Sequence, residues 1–210
     1  MASSTQAMNQ ALEANQDKLM KRTQDRPIAS GRFSVLQGAS ASVLFGATSL
    51  GIFSQFGITT CLTASAIWAG YIGVYVPLKK ITRLNTHVGA IVGAAPAYLG
   101  WVAATGTFVG LDPLLLSLHI YSWQFPHVYS IAWMYKSDYE RAGFKMITDI
   151  DNNGKKSYNS AVLGNLGQLV SASAMVVNGN LNPLFFVIGT GYCINSVVDS
   201  LSQFKSVSVI

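Results

Sequence analysis

The feature that most constrains this chain is a series of long stretches without Asp, Glu, Lys or Arg. These stretches cover residues 33–78, 84–111, 113–135 and 157–198. About 20 residues of α-helix cross the hydrocarbon core of a bilayer, so the first and last stretches are long enough for two crossings each. The sequence therefore predicts an all-α, polytopic membrane helical bundle. The six predicted crossings lie near residues 33–54, 58–78, 85–106, 113–135, 158–178 and 183–199.

Two turn signals divide the longest stretches where this topology requires it. Ser54-Gln55-Phe56-Gly57 interrupts the first stretch, and the segment from Asn178 to Pro183 interrupts the last. Charged residues make up 11% of the chain and its mean hydropathy is +0.34, values that exclude an ordinary soluble domain.

The positions of the basic residues test the predicted crossings independently, because Lys and Arg collect in alternate loops of membrane proteins. All 14 basic residues fall before the first crossing or after the second, fourth and sixth. The intervening loops contain Asp112 as their single charge. We therefore expect the basic loops on the matrix or cytoplasmic side, and the net charge of +5 to reflect membrane orientation rather than nucleic-acid binding.

The segment 1–32 is unlike the apolar crossings that follow it. Residues 2–16 are small and polar, so a helix there has to line a protein interior or cavity rather than face lipid. In a helix, Asn9, Glu13 and Asp17 recur every fourth residue and lie on one stripe.

This stripe is followed by Arg22 and Arg26, an arrangement that suits a metal diphosphate. Carboxylate oxygens such as those of Glu13 and Asp17 bind Mg²⁺, which also bridges phosphate oxygens, and guanidinium groups bind the remaining phosphate oxygens. The alternative is a solvated, salt-bridged helix end. The absence of an apolar stripe in the polar segment favours the cavity.

Four separate motifs of this sequence resemble those of one protein family. The pattern from Asn9 to Pro27 resembles the first acidic motif of the UbiA-type intramembrane prenyltransferases, in the form found in haem O synthase (protohaem IX farnesyltransferase). Three later stretches agree with the same family in the same order. They are Tyr75 to Thr86, Gly89 to Trp101, and a second functional motif from Trp123-Gln124-Phe125-Pro126-His127 to Ala142-Gly143.

The resemblance implies a single membrane domain over residues 1–210, which lacks part of a family fold of nine transmembrane helices at both ends. Its parts are the partial helix and first motif (1–32), the core helices and second motif (33–146), a polar loop (147–157) and the last helices and tail (158–210). Residue 13 is Glu where many family members have Asp.

The resemblance also implies a reaction: a farnesyl group passes from farnesyl diphosphate to a vinyl group of protohaem (haem b), giving haem O on the route to haem A. Mg²⁺ on Asn9, Glu13 and Asp17 would be the cofactor. The diphosphate would be bound by Arg22 and Arg26 with one of Lys79, Lys80 or Arg83. As an alternative, the last three residues only form a positively charged loop.

His127 and Trp123 are the candidate haem-binding residues. They lie four residues apart on one helical face, and an ionisable group at membrane depth is by default a functional hypothesis; a hydrogen-bonded structural histidine is the alternative. Asp138 is a possible second acidic site, or an ordinary salt-bridge partner of Lys136 or Arg141. His87 and His119 stay unassigned, and the loop 148–156 shows no chemistry.

The implied location is the mitochondrial inner membrane, with the bacterial plasma membrane as the alternative, and an enzyme of haem A synthesis is a possible partner. Competing functions are another intramembrane prenyltransferase acting on an aromatic or quinone precursor, a transporter, and a non-catalytic truncated product. Cys61 and Cys193 predict neither a disulfide nor a metal site, because each lies in an apolar segment.

Overall fold

The computed structural model describes residues 1–184 and 186–191, and it is helical as predicted. Short helical turns at Ser54–Phe56 and Ile147–Ile150 are 3₁₀, and Gly70–Tyr75 is a π-helical segment. Residues 183–184 and 186–191 are helical as well. The bounded α-helices are α1 (Ala2–Leu12), α2 (Ala14–Leu19), α3 (Val35–Phe53), α4 (Ile58–Ala69), α5 (Val76–Ile81), α6 (Asn85–Thr105), α7 (Leu111–Met134), α8 (Lys136–Arg141) and α9 (Lys155–Val177).

Four helical segments are long and apolar enough to cross a membrane: Val35–Phe56, Ile58–Ile81, Asn85–Thr105 and Lys155–Val177. Many of their apolar side chains point outward; Leu62, for example, is 62% exposed. Outward-facing apolar side chains on a long helix indicate contact with lipid. The polytopic membrane fold is therefore confirmed.

The fourth predicted crossing corresponds to α7, which has 24 residues and a length of about 36 Å at 1.5 Å per residue. It is not among the four most apolar segments, because polar side chains such as those of His119, Gln124 and His127 interrupt it. It packs between α6 and α9. Most of the sixth predicted crossing, 183–199, lies outside the described residues, so the total of six crossings stays a prediction.

Both predicted breaks are confirmed, and glycines close them. The turn Ser54–Phe56 ends at Gly57, which has φ +95°, and α9 ends at Val177 shortly before Gly179, which has φ +77°. Positive φ values are readily adopted only by glycine.

The polar N-terminal helix α1 packs against α3, and hydrogen bonds join the two helices. Ser4 Oγ donates to Ser42 O at 2.8 Å, and Ser42 Oγ donates to Ser4 O at 2.7 Å. Both serines are 1% exposed, and Trp68 Nε1 also donates to Ser4 Oγ at 3.0 Å. The prediction that this segment faces a protein interior is confirmed.

The basic loops meet at one end of the bundle. Lys145 N donates to Lys79 O at 2.6 Å, and Asn85 Nδ2 donates to Lys145 O at 2.6 Å. At the opposite end, Asp112 Oδ1 accepts hydrogen bonds from the side chains of Asn178 and Asn180 at 3.0 and 2.6 Å. This separation matches the alternation of charge along the sequence for the described residues.

Candidate functional site

A cavity of about 480 Å³ opens at the basic end of the bundle, between α1, α2, α5, α6 and α7. Most of its charged groups come from the N-terminal segment and one from α5, while α6 and α7 supply further lining residues. The residues that line it are Gln6, Asn9, Glu13, Asp17, Met20, Arg22, Thr23, Arg26, Tyr71, Tyr75, Lys79, Asn85, Thr86, Gly89, Ala90, Gly93, Gln124, His127, Val128, Ile131, Tyr139, Phe144 and Met146.

The predicted acidic stripe lies inside this cavity. Asn9, Glu13 and Asp17 are 4%, 3% and 2% exposed. The helix is interrupted at Glu13, but the backbone bonds from Glu13 N to Asn9 O and from Asp17 N to Glu13 O continue its turns. The three side chains therefore stay on one face, and Thr23 Oγ1 fixes the end of the stripe by donating to Asp17 O at 3.1 Å.

Both carboxylates that line the cavity have a cationic partner. Arg26 Nη1 lies 3.0 Å from both carboxylate oxygens of Asp17. Lys79 Nζ lies 3.0 Å from both oxygens of Glu13 and 3.4 Å from Asn9 Oδ1. Residues 66 positions apart in sequence are thus joined, and charge is balanced in a part of the molecule where an unpaired charge would be costly.

Aromatic rings surround the Lys79 ammonium group. Its Nζ lies 4.7 Å from the ring centre of Tyr75, 5.7 Å from that of Phe144 and 6.0 Å from that of Tyr71. Ring faces attract cations at these distances. Gly89 makes room for this arrangement, because a Cβ at that position would lie 2.5 Å from the Tyr75 ring.

Arg22 lies at the exposed rim of the cavity. Its Nη2 donates to the Tyr139 hydroxyl at 3.4 Å, and its guanidinium carbon lies 5.8 Å from the Tyr135 ring centre. Burial raises the pKa of Tyr139 above its ordinary value, and the nearby Arg22 lowers it in part. Tyr139 is therefore a neutral hydroxyl at physiological pH.

His127, on α7, also lines the cavity, and its side chain is exposed. Its ring stacks on that of Trp123, with centroids 4.8 Å apart and planes at 14°. Trp123 itself is 40% exposed and lies outside the lining of the cavity. Beside His127, Gln124 Nε2 donates to Ala90 O at 2.9 Å and joins α7 to α6.

Comparison with known protein families shows to which family this chain belongs. The model of the UbiA prenyltransferase family matches residues 1–206. This chain belongs to the UbiA prenyltransferase family. Its acidic stripe, its cationic partners and its membrane helices are therefore those of a UbiA-family chain.

Within the UbiA family, this chain is similar in sequence to proteins named protoheme IX farnesyltransferase. A protoheme IX farnesyltransferase of Rhodopirellula baltica is 36% identical over 79% of this chain, and one of Flavobacterium johnsoniae is 38% identical over 88%. A mitochondrial protoheme IX farnesyltransferase of Arabidopsis thaliana is 38% identical over 74%. The chain spans 58%, 61% and 36% of the lengths of these three proteins. No solved structure matches the chain.

Of the three candidate cations Lys79, Lys80 and Arg83, only Lys79 reaches the cavity of this UbiA-family chain. Lys80 is exposed and does not line it. Arg83 faces a separate cavity, where its Nε lies 3.9 Å from Asp149 Oδ2. The structure thus brings together Asn9, Glu13, Asp17, Arg22, Arg26, Lys79 and His127 and leaves Lys80, Arg83 and Trp123 outside.

Asp138 forms the ion pair with Arg141 that the sequence suggested, through Oδ1, while its buried Oδ2 has no hydrogen-bond partner among the described residues. It is 2% exposed, and it is not among the residues that line the cavity. The remaining histidines have structural contacts: His119 Nδ1 lies 3.1 Å from Ser171 Oγ, and His87 Nδ1 lies 3.1 Å from the Tyr121 hydroxyl.

The oxygen atoms of the acidic stripe fit Mg²⁺ only if a ligand adds further oxygens. Among the described residues there is no group of three or more His, Cys, Asp or Glu side chains placed to hold a metal. Asn9, Glu13 and Asp17 offer one amide and two carboxylate groups, a hard oxygen set of the kind Mg²⁺ prefers when phosphate completes its coordination.

Sequence reasoning assigned no individual role to Tyr71, Tyr75 or Gln124, although Tyr75 and Gln124 lie within the motifs of the family resemblance. The spacing of Tyr75 and Lys79, four residues apart, is the signal that would have placed an aromatic ring beside the lysine. Gln124 belongs to the second functional motif, but no signal in the sequence predicts its contact, because its partner is the Ala90 carbonyl on another helix.

Proposed function

We propose that this chain transfers a farnesyl group from farnesyl diphosphate to a vinyl group of haem b and so forms haem O. The observation that supports this most strongly is the convergence of Glu13, Asp17, Arg26 and Lys79 on one cavity that His127 also lines. The printed names of the relatives, protoheme IX farnesyltransferases, point to the same reaction.

The polar half of the cavity is suited to the diphosphate. Breaking the allylic C–O bond leaves the electron pair on the diphosphate, so cations fixed around it stabilise the transition state, each by about 3 kcal/mol. Lys79 and Arg26 supply such charges from inside, and Arg22 supplies a third at the rim. Mg²⁺ held by Asn9, Glu13 and Asp17 would neutralise further negative charge on the phosphate oxygens.

The ion pairs in the polar half of the cavity have to rearrange when farnesyl diphosphate binds. Lys79 and Arg26 are held by carboxylates, so phosphate oxygens can bind them only as the carboxylates gain another positive partner. Donor diphosphate and divalent cation therefore bind with positive cooperativity.

The other half of the cavity accommodates the acceptor. The farnesyl carbon forms its new bond with the π electrons of the vinyl group, and a water oxygen then adds to the resulting cation and loses a proton. His127 orients the haem by contact with its iron or a propionate. Walls such as Val128 and Ile131 exclude water until the new carbon–carbon bond has formed.

The same proposal places the chain in the mitochondrial inner membrane, with the bacterial plasma membrane as the alternative. The relatives support these two candidate membranes, since the Arabidopsis protein is mitochondrial and the other two are bacterial. An enzyme that oxidises haem O to haem A would be the partner that consumes the product.

The test is a product assay with the chain reconstituted in lipid vesicles with farnesyl diphosphate, Mg²⁺ and haem b. We expect haem O by mass spectrometry and an equal amount of released diphosphate. Lys79→Gln should abolish both, while Lys80→Gln, which changes an exposed neighbour, should retain them. Prenylation of 4-hydroxybenzoate in place of haem b would overturn the haem assignment and support an aromatic acceptor.

A further inference from the structure

A second groove lies outside the candidate active site, along α6, α7 and α9. It consists of a cavity of about 430 Å³ at the basic end and one of about 230 Å³ deeper along the helices. His87 and Tyr129 line both, so the two cavities are neighbours along one groove. Neither shares a lining residue with the cavity that contains Glu13 and Lys79.

Two cations line the basic end of this groove. Arg83 is 43% exposed at its side chain, and its nearest carboxylate, that of Asp149, is 3.9 Å away. Lys145 is exposed and forms no ion pair within the described part of the chain. Its backbone is fixed on both sides, since its N–H donates to Lys79 O and its carbonyl accepts from Asn85.

The deeper end is apolar and aromatic. Phe125 and Tyr129 form its floor at 7% and 3% exposure, and Leu163 forms part of its edge at 68% exposure. At the basic end, Ile81 and Leu84 are 70% and 64% exposed. These exposed apolar side chains belong to or adjoin membrane-spanning helices, so the groove opens toward lipid.

We propose that this groove binds an anionic phospholipid of the surrounding membrane. The phosphate group lies between Arg83 and Lys145, and an acyl chain follows the groove past His87 to Phe125 and Leu163. Basic pockets between transmembrane helices on the positively charged side of a membrane protein bind such headgroups. The bound lipid joins the end of α5 to the loop that carries Lys145, and it stabilises the loop from outside the candidate active site.

The charge and the apolar floor together select this ligand. A free phosphate ion matches the two cations but leaves the deeper cavity unfilled, and a neutral lipid fills the deeper cavity but leaves the cations without a partner. The proposal does not depend on the reaction proposed above, because the two cavities have separate linings.

The test is native mass spectrometry of the protein extracted from vesicles of phosphatidylcholine and phosphatidylglycerol. Wild type should retain one phosphatidylglycerol per chain, and Arg83→Gln/Lys145→Gln should lower the retained fraction at least ~10-fold, as expected for the loss of two charge-assisted contacts. The matched control is Lys80→Gln/Lys155→Gln, which removes the same charge from exposed residues that line none of these cavities. It should retain the lipid as wild type does.

Two further variants keep the result decisive. Lys145→Gln alone leaves the contact between Arg83 and Asp149 intact, so it serves as the test if the double variant does not fold. It should also weaken lipid retention. Ser160→Trp fills the deeper cavity and should also release the lipid. Equal retention in wild type and the Arg83/Lys145 variants, retention of phosphatidylcholine in equal amount, or binding of inorganic phosphate or haem b in the groove instead would overturn the proposal.

Discussion

At the scale of single residues, the candidate site depends on two ion pairs whose carboxylates are almost fully buried. Glu13 and Asp17 are 3% and 2% exposed, and each has a cation at 3.0 Å. Removal of one partner of such a buried pair typically costs about 3–5 kcal/mol, because the remaining charge is left without compensation. Stability and function are therefore linked at these positions.

Glu13→Gln and Asp17→Asn should each lower turnover of farnesyl diphosphate by a factor of at least ~10², because each removes a carboxylate that positions cations around the diphosphate. Steady-state release of diphosphate measures this. Asp25→Asn is the matched control, since Asp25 lies in the same segment but is exposed and outside the cavity. Near-normal turnover in the Glu13 and Asp17 variants would remove these residues from the site.

His127→Ala should weaken haem b binding while the affinity for farnesyl diphosphate stays within about twofold, because the imidazole lies on α7 and stacks on Trp123 rather than binding the cations of the acidic stripe. Optical titration with haem b and calorimetry with farnesyl diphosphate measure the two affinities separately. His119→Gln serves as the control on the same helix, where the ring contacts Ser171. Equal haem affinity in wild type and His127→Ala would contradict the assignment.

At the scale of helices, some positions were predictable and others were not, for physical reasons. The stripe of Asn9, Glu13 and Asp17 follows from the helical repeat alone, and the structure keeps it. The choice of Lys79 over Lys80 and Arg83 does not follow, because the contact that distinguishes Lys79 is with Glu13, a residue far away in the sequence. Neither hydropathy nor the helical repeat carries a signal for that contact.

The second feature at this scale is the close approach of α7 and α9. A Cβ on Gly164 would lie 2.7 Å from the Ser122 carbonyl oxygen and 2.7 Å from Pro126 Cδ. Both neighbours belong to the backbone or a rigid ring, so they cannot move without separation of the helices. Small residues at membrane helix interfaces permit this approach.

Gly164→Ala should lower the free energy of unfolding by about 1–3 kcal/mol, the usual cost of overpacking. Gly100→Ala is the control: a Cβ there meets no atom within 4 Å, and alanine should favour the helix by up to about 1 kcal/mol. Unfolding by denaturant in lipid micelles measures both. Equal stability of Gly164→Ala and wild type would show that α7 and α9 are not so close.

At the scale of the whole molecule, charge alternation predicted which loops share a side, and the structure brings those loops into contact. Lys145 N–H donates to Lys79 O at one end, while Asp112 binds Asn178 and Asn180 at the other. The pattern of charges could not predict which basic residues face the cavity. That depends on packing between segments far apart in sequence, such as Glu13 with Lys79.

Single cysteines introduced at exposed positions test this topology. With Cys61 and Cys193 replaced by Ala, Lys21→Cys and Lys80→Cys should react with a membrane-impermeant maleimide from the same side of sealed vesicles. Thr107→Cys should react only from the opposite side, because its loop connects α6 and α7 at the far end. Labelling of residues 21 and 80 from opposite sides would exclude a common cavity.

The most direct test of the diphosphate site is calorimetric binding of farnesyl diphosphate with and without Mg²⁺ to wild type, Lys79→Met and Lys80→Met. We predict binding that depends on Mg²⁺ and an affinity at least ~10-fold lower in Lys79→Met, the size expected for one charged hydrogen bond. Lys80→Met should bind as wild type does. Equal affinity in Lys79→Met, or binding that is indifferent to Mg²⁺, would contradict the account.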